Sequence, residues 1–145
     1  MSIAQKDLTI YKGKTFSRVL RWESEPLVYK AITAITKAAP VVITAVGHGL
    51  TDGWRTAVVS AQGMREINAR VLSKGAVPLA PEFRKATVLS VDTIALNAVN
   101  SLEFTTYTSG GTLVYYTPVD LTGYTARMQI RSTKESAVIL LELVS

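Results

Sequence analysis

No window of this chain carries the apolar i, i+3, i+4, i+7 stripe of an amphipathic helix, and that excludes most helical architectures. The best helical candidate, Gly63-Met64-Arg65-Glu66-Ile67-Asn68, is too short to stand as a helix. Apolar runs are instead short, rich in Val, Ile, Thr and Tyr, and bounded by Gly, Pro, Asn or Asp, which is the pattern of strands and turns. Strands are predicted near residues 6–12, 14–22, 26–35, 40–46, 56–61, 66–73, 86–91, 93–97, 103–108, 112–117, 124–131 and 137–144. The fold class that follows is all-β, a sandwich or small barrels. Apolar residues at 48% and charged residues at 19% of 145 exclude disorder as the overall state.

The same strands divide by character. Residues 31–117 are rich in Ala, Val, Thr and Gly and carry tight turns at Gly47-His48-Gly49, Thr51-Asp52-Gly53 and Ser109-Gly110-Gly111. Residues 1–30 and 118–145 carry large side chains and arginines, with Phe16, Leu20 and Trp22 in one flank and Tyr124, Met128 and Ile130 in the other. Neither flank is long enough for a core of its own, whereas the two together approach the lower limit for independent folding. The expectation is a discontinuous outer β-sandwich or sheet domain, residues 1–30 and 118–145, interrupted by an inserted small β-barrel, residues 31–117. The paired crossings would be Leu27–Lys30 and Tyr115–Pro118.

Two sets of motifs carry a family resemblance. Within the middle segment the order is Ile32-Thr33-Ala34-Ile35, Val42-Ile43-Thr44, Gly47-His48-Gly49-Leu50-Thr51-Asp52-Gly53, Ile67-Asn68, Thr93-Ile94-Ala95-Leu96 and Ser109-Gly110-Gly111-Thr112. This order resembles the small β-barrel modules of bacteriophage proteins that are similar to a half-domain of ubiquitin-activating enzymes. It departs from them at Trp54, where a small polar or acidic residue is usual, and in the extra loop 74–85. In the flanks, Asp7-Leu8-Thr9-Ile10-Tyr11-Lys12-Gly13 and Asp120-Leu121-Thr122-Gly123-Tyr124 resemble the N-terminal domain of phage baseplate and tail subunits. Together the resemblances imply a virion protein of a tailed bacteriophage or prophage, made in the host cytoplasm.

The residue inventory points away from catalysis. No cysteine is present, which removes thiolate chemistry, disulfide frameworks and Cys-ligated zinc. The single histidine, His48, lies between two glycines, where its ring nitrogens suit turn hydrogen bonds better than a metal or proton relay. Ser109-Gly110-Gly111-Thr112 leads into a strand rather than a helix, so it does not fit a phosphate loop. Glu23 and Glu25, beside Trp22 and Pro26, read as a solvated strand end rather than an acid pair for glycoside cleavage. No enzyme, metal or cofactor is therefore expected, and no catalytic, metal or cofactor residue is assigned.

The net charge of +5 raises the question of nucleic acid. Basic and acidic groups number six and three in residues 1–30, seven and five in 31–117, and three and three in 118–145. No run of four or more Lys/Arg clusters the cations, so no specific nucleic-acid partner is expected. No stretch is apolar for long enough to cross a membrane as a helix, and no membrane partner is expected.

Two segments are expected to contact partners. Loop 74–85 carries two prolines that block strand pairing and leaves Val77, Leu79 and Phe83 exposed unless it folds back over the barrel mouth. The terminal strand 137–144 is apolar on both faces, with Ile139, Leu141 and Leu143 alternating against Val138, Leu140 and Val144, so another subunit is expected to cover it. The expected partners are other virion proteins and further copies of the chain. The expected function is structural, in the tail, baseplate or neck. Alternatives are a capsid-decorating cement protein and a module binding a cell-surface glycan or receptor near Trp54 and Phe83.

Overall fold

A computed structural model describes residues 8–11, 21–71, 77–133 and 135–144. The molecule is all-β, with strands β1 (Glu23–Ala31), β2 (Ala34–Ile35), β3 (Val41–Thr44), β4 (Arg55–Gln62), β5 (Arg84–Val88), β6 (Thr93–Leu96), β7 (Ser109–Pro118), β8 (Arg127–Arg131) and β9 (Ile139–Val144). Among the described residues seven strands make one antiparallel sheet in the order β1-β7-β4-β5-β6-β3-β2, and β8 and β9 form a second, two-stranded sheet.

The large sheet closes into a barrel because its two end strands are one continuous run of chain. Ala31 of β1 pairs with Thr112 of β7; two residues later Thr33 donates to the Thr44 carbonyl of β3. Ile32 bonds back to Gly111 on the β7 side, so the chain bends from one neighbour to the other within Ile32–Thr33. Closure removes the exposed edges that a lone sheet would present. The pairing of Glu23 with Pro118 and of Tyr29 with Val114 sets the chain segments entering and leaving this barrel side by side.

Alternation places the core inside. Val41, Ile43, Val58, Ala86, Ile94, Leu96, Leu113 and Tyr115 form one buried cluster, and Val28 packs against it. Trp22 is 51% exposed, outside that cluster. Inward polar groups are satisfied: the Thr56 hydroxyl donates to the Val114 carbonyl at 2.9 Å. Buried Ser101 donates to the Thr36 and Ala38 carbonyls and accepts from the Ala38 N–H.

Two predicted strands do not form among the described residues, for one reason. Residues 66–71 hold the end of a 3₁₀ turn, Arg65–Ile67, and a single bridge at Val71, and 103–108 contain turns rather than a strand. Met64 and Ile67 are buried three residues apart, and Phe104 and Tyr107 pack on the core at the same spacing, so each segment turns where a strand would alternate. The Asn68 side chain then completes the sheet in place of a strand. Its amide donates to the Ala61 carbonyl at 3.0 Å and its oxygen accepts the Ala61 N–H at 2.8 Å, along the part of β4 that β5 does not reach.

Glu66 joins the two turns by accepting from both the N–H and the hydroxyl of Thr105. These hydrogen bonds, foremost that of the hydroxyl, hold its carboxyl below the ordinary glutamate range. A depressed folded-state value contributes stability that is present above the unfolded value and lost as pH falls through the folded one. Urea titrations should therefore show wild type losing more stability than Glu66→Gln between pH 7 and pH 3, and equal losses would remove Glu66 from the acid response.

The predicted strand 14–22 lies outside the described residues except for Arg21 and Trp22, which are in no strand. Of the predicted strand 6–12, residues 8–11 are described; they are exposed and in no strand.

Candidate functional site

The β8–β9 hairpin concentrates exposed apolar surface, and its register determines which side chains share a face. Met128 pairs with Leu143 and Ile130 with Leu141, so these four form one wholly apolar face. Arg127 pairs with Val144 and Gln129 with Glu142 on the opposite face. There Glu142 accepts from Gln129 at 3.3 Å and lies 3.4 Å from the Arg127 guanidinium, while Arg131 donates to Gln129 at 2.8 Å. A polar ladder thus backs an apolar face, the construction of a sheet that packs on one side only.

A register shift between Ile130 and Arg131 leaves Leu140 without a cross-strand partner, so strict alternation fails at that end of β9. This revises the face expected from sequence: Ile139 lies opposite Arg131 instead of continuing the row of Leu141 and Leu143. Of the predicted contact residues, Val138 is 65%, Leu140 63% and Val144 67% exposed. Leu141 and Leu143 are about half exposed, and Met128 and Ile130 are half-buried. The contribution of β8 was missed in the sequence, where the interest of Met128 and Ile130 depends on knowing their cross-strand partners.

Loop 74–85 departs from its expectation at Phe83. Residues 74–76 lie outside the described residues; Val77 is exposed and Leu79 half-buried. Phe83 is only 6% exposed, so it is not an accessible partner contact. Its ring packs on Tyr116 at a centroid distance of 5.6 Å. The cause is register: pairing of Thr56 with Arg84 carries Phe83 onto the outer face of the barrel wall beside Ala57, which is equally buried. The described part of the loop, from Val77 on, therefore covers the wall from outside at Phe83, with Val71 bridged to Pro78 and Arg70 paired to Glu82 at 2.6 Å. Trp54 is half-buried, and its indole N–H donates to the Tyr116 carbonyl at 2.7 Å. Trp54 and Phe83 consequently offer no open aromatic platform for a sugar.

His48 occupies a buried turn. The Leu50 N–H donates to its Nδ1 at 2.9 Å, which leaves Nε2 to carry the proton and donate to the Ser90 carbonyl at 3.0 Å. Its own carbonyl accepts the Tyr115 hydroxyl, whose pKa burial raises. Both ring nitrogens are thus used in structure. Glu23 and Glu25 are exposed on β1. Among the described residues no three His, Cys, Asp or Glu side chains group as metal ligands, and no helix is long and apolar enough to cross a membrane. No known family model and no curated protein matches the chain.

Proposed function

We propose that the chain is a structural subunit of a tailed-phage or prophage particle, in the tail, baseplate or neck, and that its work is assembly. The observation that carries this reading is the β8–β9 hairpin, whose Met128, Ile130, Leu141 and Leu143 form an apolar face backed by a polar ladder. Val138, Leu140 and Val144 add exposed apolar surface to the same hairpin. An isolated two-stranded hairpin is marginal in water, and one with this much apolar surface gains stability when another chain covers it. The motif order of residues 32–112, with its resemblance to phage barrel modules, agrees with such a role. In this reading the inserted unit is the closed barrel, with β1 (Glu23–Ala31) as one of its strands, the β8–β9 hairpin belongs to the outer attachment part, and the partners are other virion proteins and further copies.

Charge placed on the hairpin separates assembly from folding. Leu141→Asp and Leu140→Asp should each abolish incorporation into particles, while the barrel keeps its wild-type unfolding midpoint. Normal incorporation of both variants would sink the assembly reading.

A further inference from the structure

The outer wall of the barrel carries a row of hydrogen-bond donors with no acidic group in it. Arg55 on β4 pairs directly with Lys85 on β5, so two like charges stand opposite each other across adjacent strands. Such a pair destabilises a sheet unless a counter-charge lies between the two. Continuing the β4–β7 register sets Tyr116 on the other side of Arg55, and the Asn97 N–H bond to the Lys85 carbonyl sets Asn97 beside Lys85. The row across four strands is then Tyr116, Arg55, Lys85 and Asn97, flanked by buried Phe83 and Ala57.

Each member presents donors outward. Asn97 uses its side-chain oxygen to accept from Thr87 at 3.0 Å, which leaves its amide hydrogens free. Among the described residues neither Arg55 nor Lys85 makes an ion pair or side-chain hydrogen bond, and the Tyr116 hydroxyl has no partner. Two acids close in sequence to the row have partners elsewhere. Asp52 accepts the Val88 N–H at 2.8 Å, although the Lys85 stem lies over neighbouring Gly53, and Glu82 is paired with Arg70.

We propose that this row is an oxyanion site, in which a tetrahedral phosphate or sulfate group bridges Arg55 and Lys85, with Asn97 and Tyr116 donating at its flanks. Adjacent cations match a doubly charged tetrahedral group better than a single carboxylate, and the Arg fork supplies two parallel donors. The site stands independently of the assembly role.

Thermal unfolding of the full chain in phosphate and in acetate at matched ionic strength tests it. Phosphate at tenfold its dissociation constant should raise the wild-type midpoint by roughly 3–5 °C over acetate. Arg55→Gln and Lys85→Gln should unfold in acetate no lower than wild type, because repulsion is relieved, and should lose the phosphate increment. Phosphate should also shift the Asn97 side-chain amide resonances. Equal midpoints in the two salts, an increment retained by both variants, or variants less stable than wild type in acetate would each overturn the site.

Discussion

Gly63→Ala is expected to destabilise the protein by about 3 kcal/mol or more, the sum of a left-handed backbone strain of ~1–3 kcal/mol and an overpacking cost of ~1–3 kcal/mol. Gly63 has φ of +79°, and a Cβ there would lie 2.2 Å from the Thr106 carbonyl oxygen and 2.8 Å from the Thr108 nitrogen. Both obstacles are backbone, so neither can turn aside as a flexible side chain would. They belong to the turn segment that brings Thr108 to donate to Gln62 and leads into β7. Gly47 isolates the two causes, since its φ is +56° and nothing lies within 4 Å of an added Cβ. Gly47→Ala should therefore cost only ~1–2 kcal/mol, the backbone share alone. Urea unfolding of the two variants decides the matter: similar midpoints would mean that close approach at Gly63 is relieved at little cost.

His48→Ala should cost about 2–4 kcal/mol. Reading the sequence alone suggests about 1 kcal/mol for one lost turn hydrogen bond. The structure raises the figure because the ring is 2% exposed and bonded at both nitrogens, to the Leu50 N–H and the Ser90 carbonyl. Removing it leaves two backbone groups without partners, at ~1–3 kcal/mol, and opens a cavity besides. Denaturant titration at neutral pH is the check. A loss below about 0.5 kcal/mol would show that water replaces the ring without penalty, as at an ordinary surface site.

These two positions also mark what the sequence discloses. Gly47-His48-Gly49 and Asp52-Gly53 announce tight turns through residue chemistry alone, and the Val- and Thr-rich runs 41–44 and 56–59 announce strands through composition. The failures come where local pattern and long-range placement diverge. The segment from Gly63 to Asn68 is the best helical candidate but too short to stand as a helix, and it forms a 3₁₀ turn at Arg65–Ile67. The strand expected to start at residue 66 gives way to that turn because Met64 and Ile67 are buried three residues apart. Phe83 looks exposed in a proline-bounded loop because its neighbours Ala57 and Tyr116 are distant in sequence and meet it only through sheet register. On the hairpin, alternation within β9 suggests a row of Ile139, Leu141 and Leu143. The shift opposite Arg131 displaces Ile139 from that row, and β8 supplies Met128 and Ile130 to complete the face. Register is a property of two strands, and neither strand states it alone.

In the proposed assembly role another subunit would remove the apolar hairpin face from water, and each Å² covered would contribute roughly 25 cal/mol. Cryo-electron microscopy of the tailed-phage particle proposed to contain the chain measures this directly. Density from another subunit is expected on Met128, Ile130, Leu141 and Leu143, with the barrel projecting as a separate closed body. A particle in which that face points to solvent, or in which no copy of the chain is found, would contradict it.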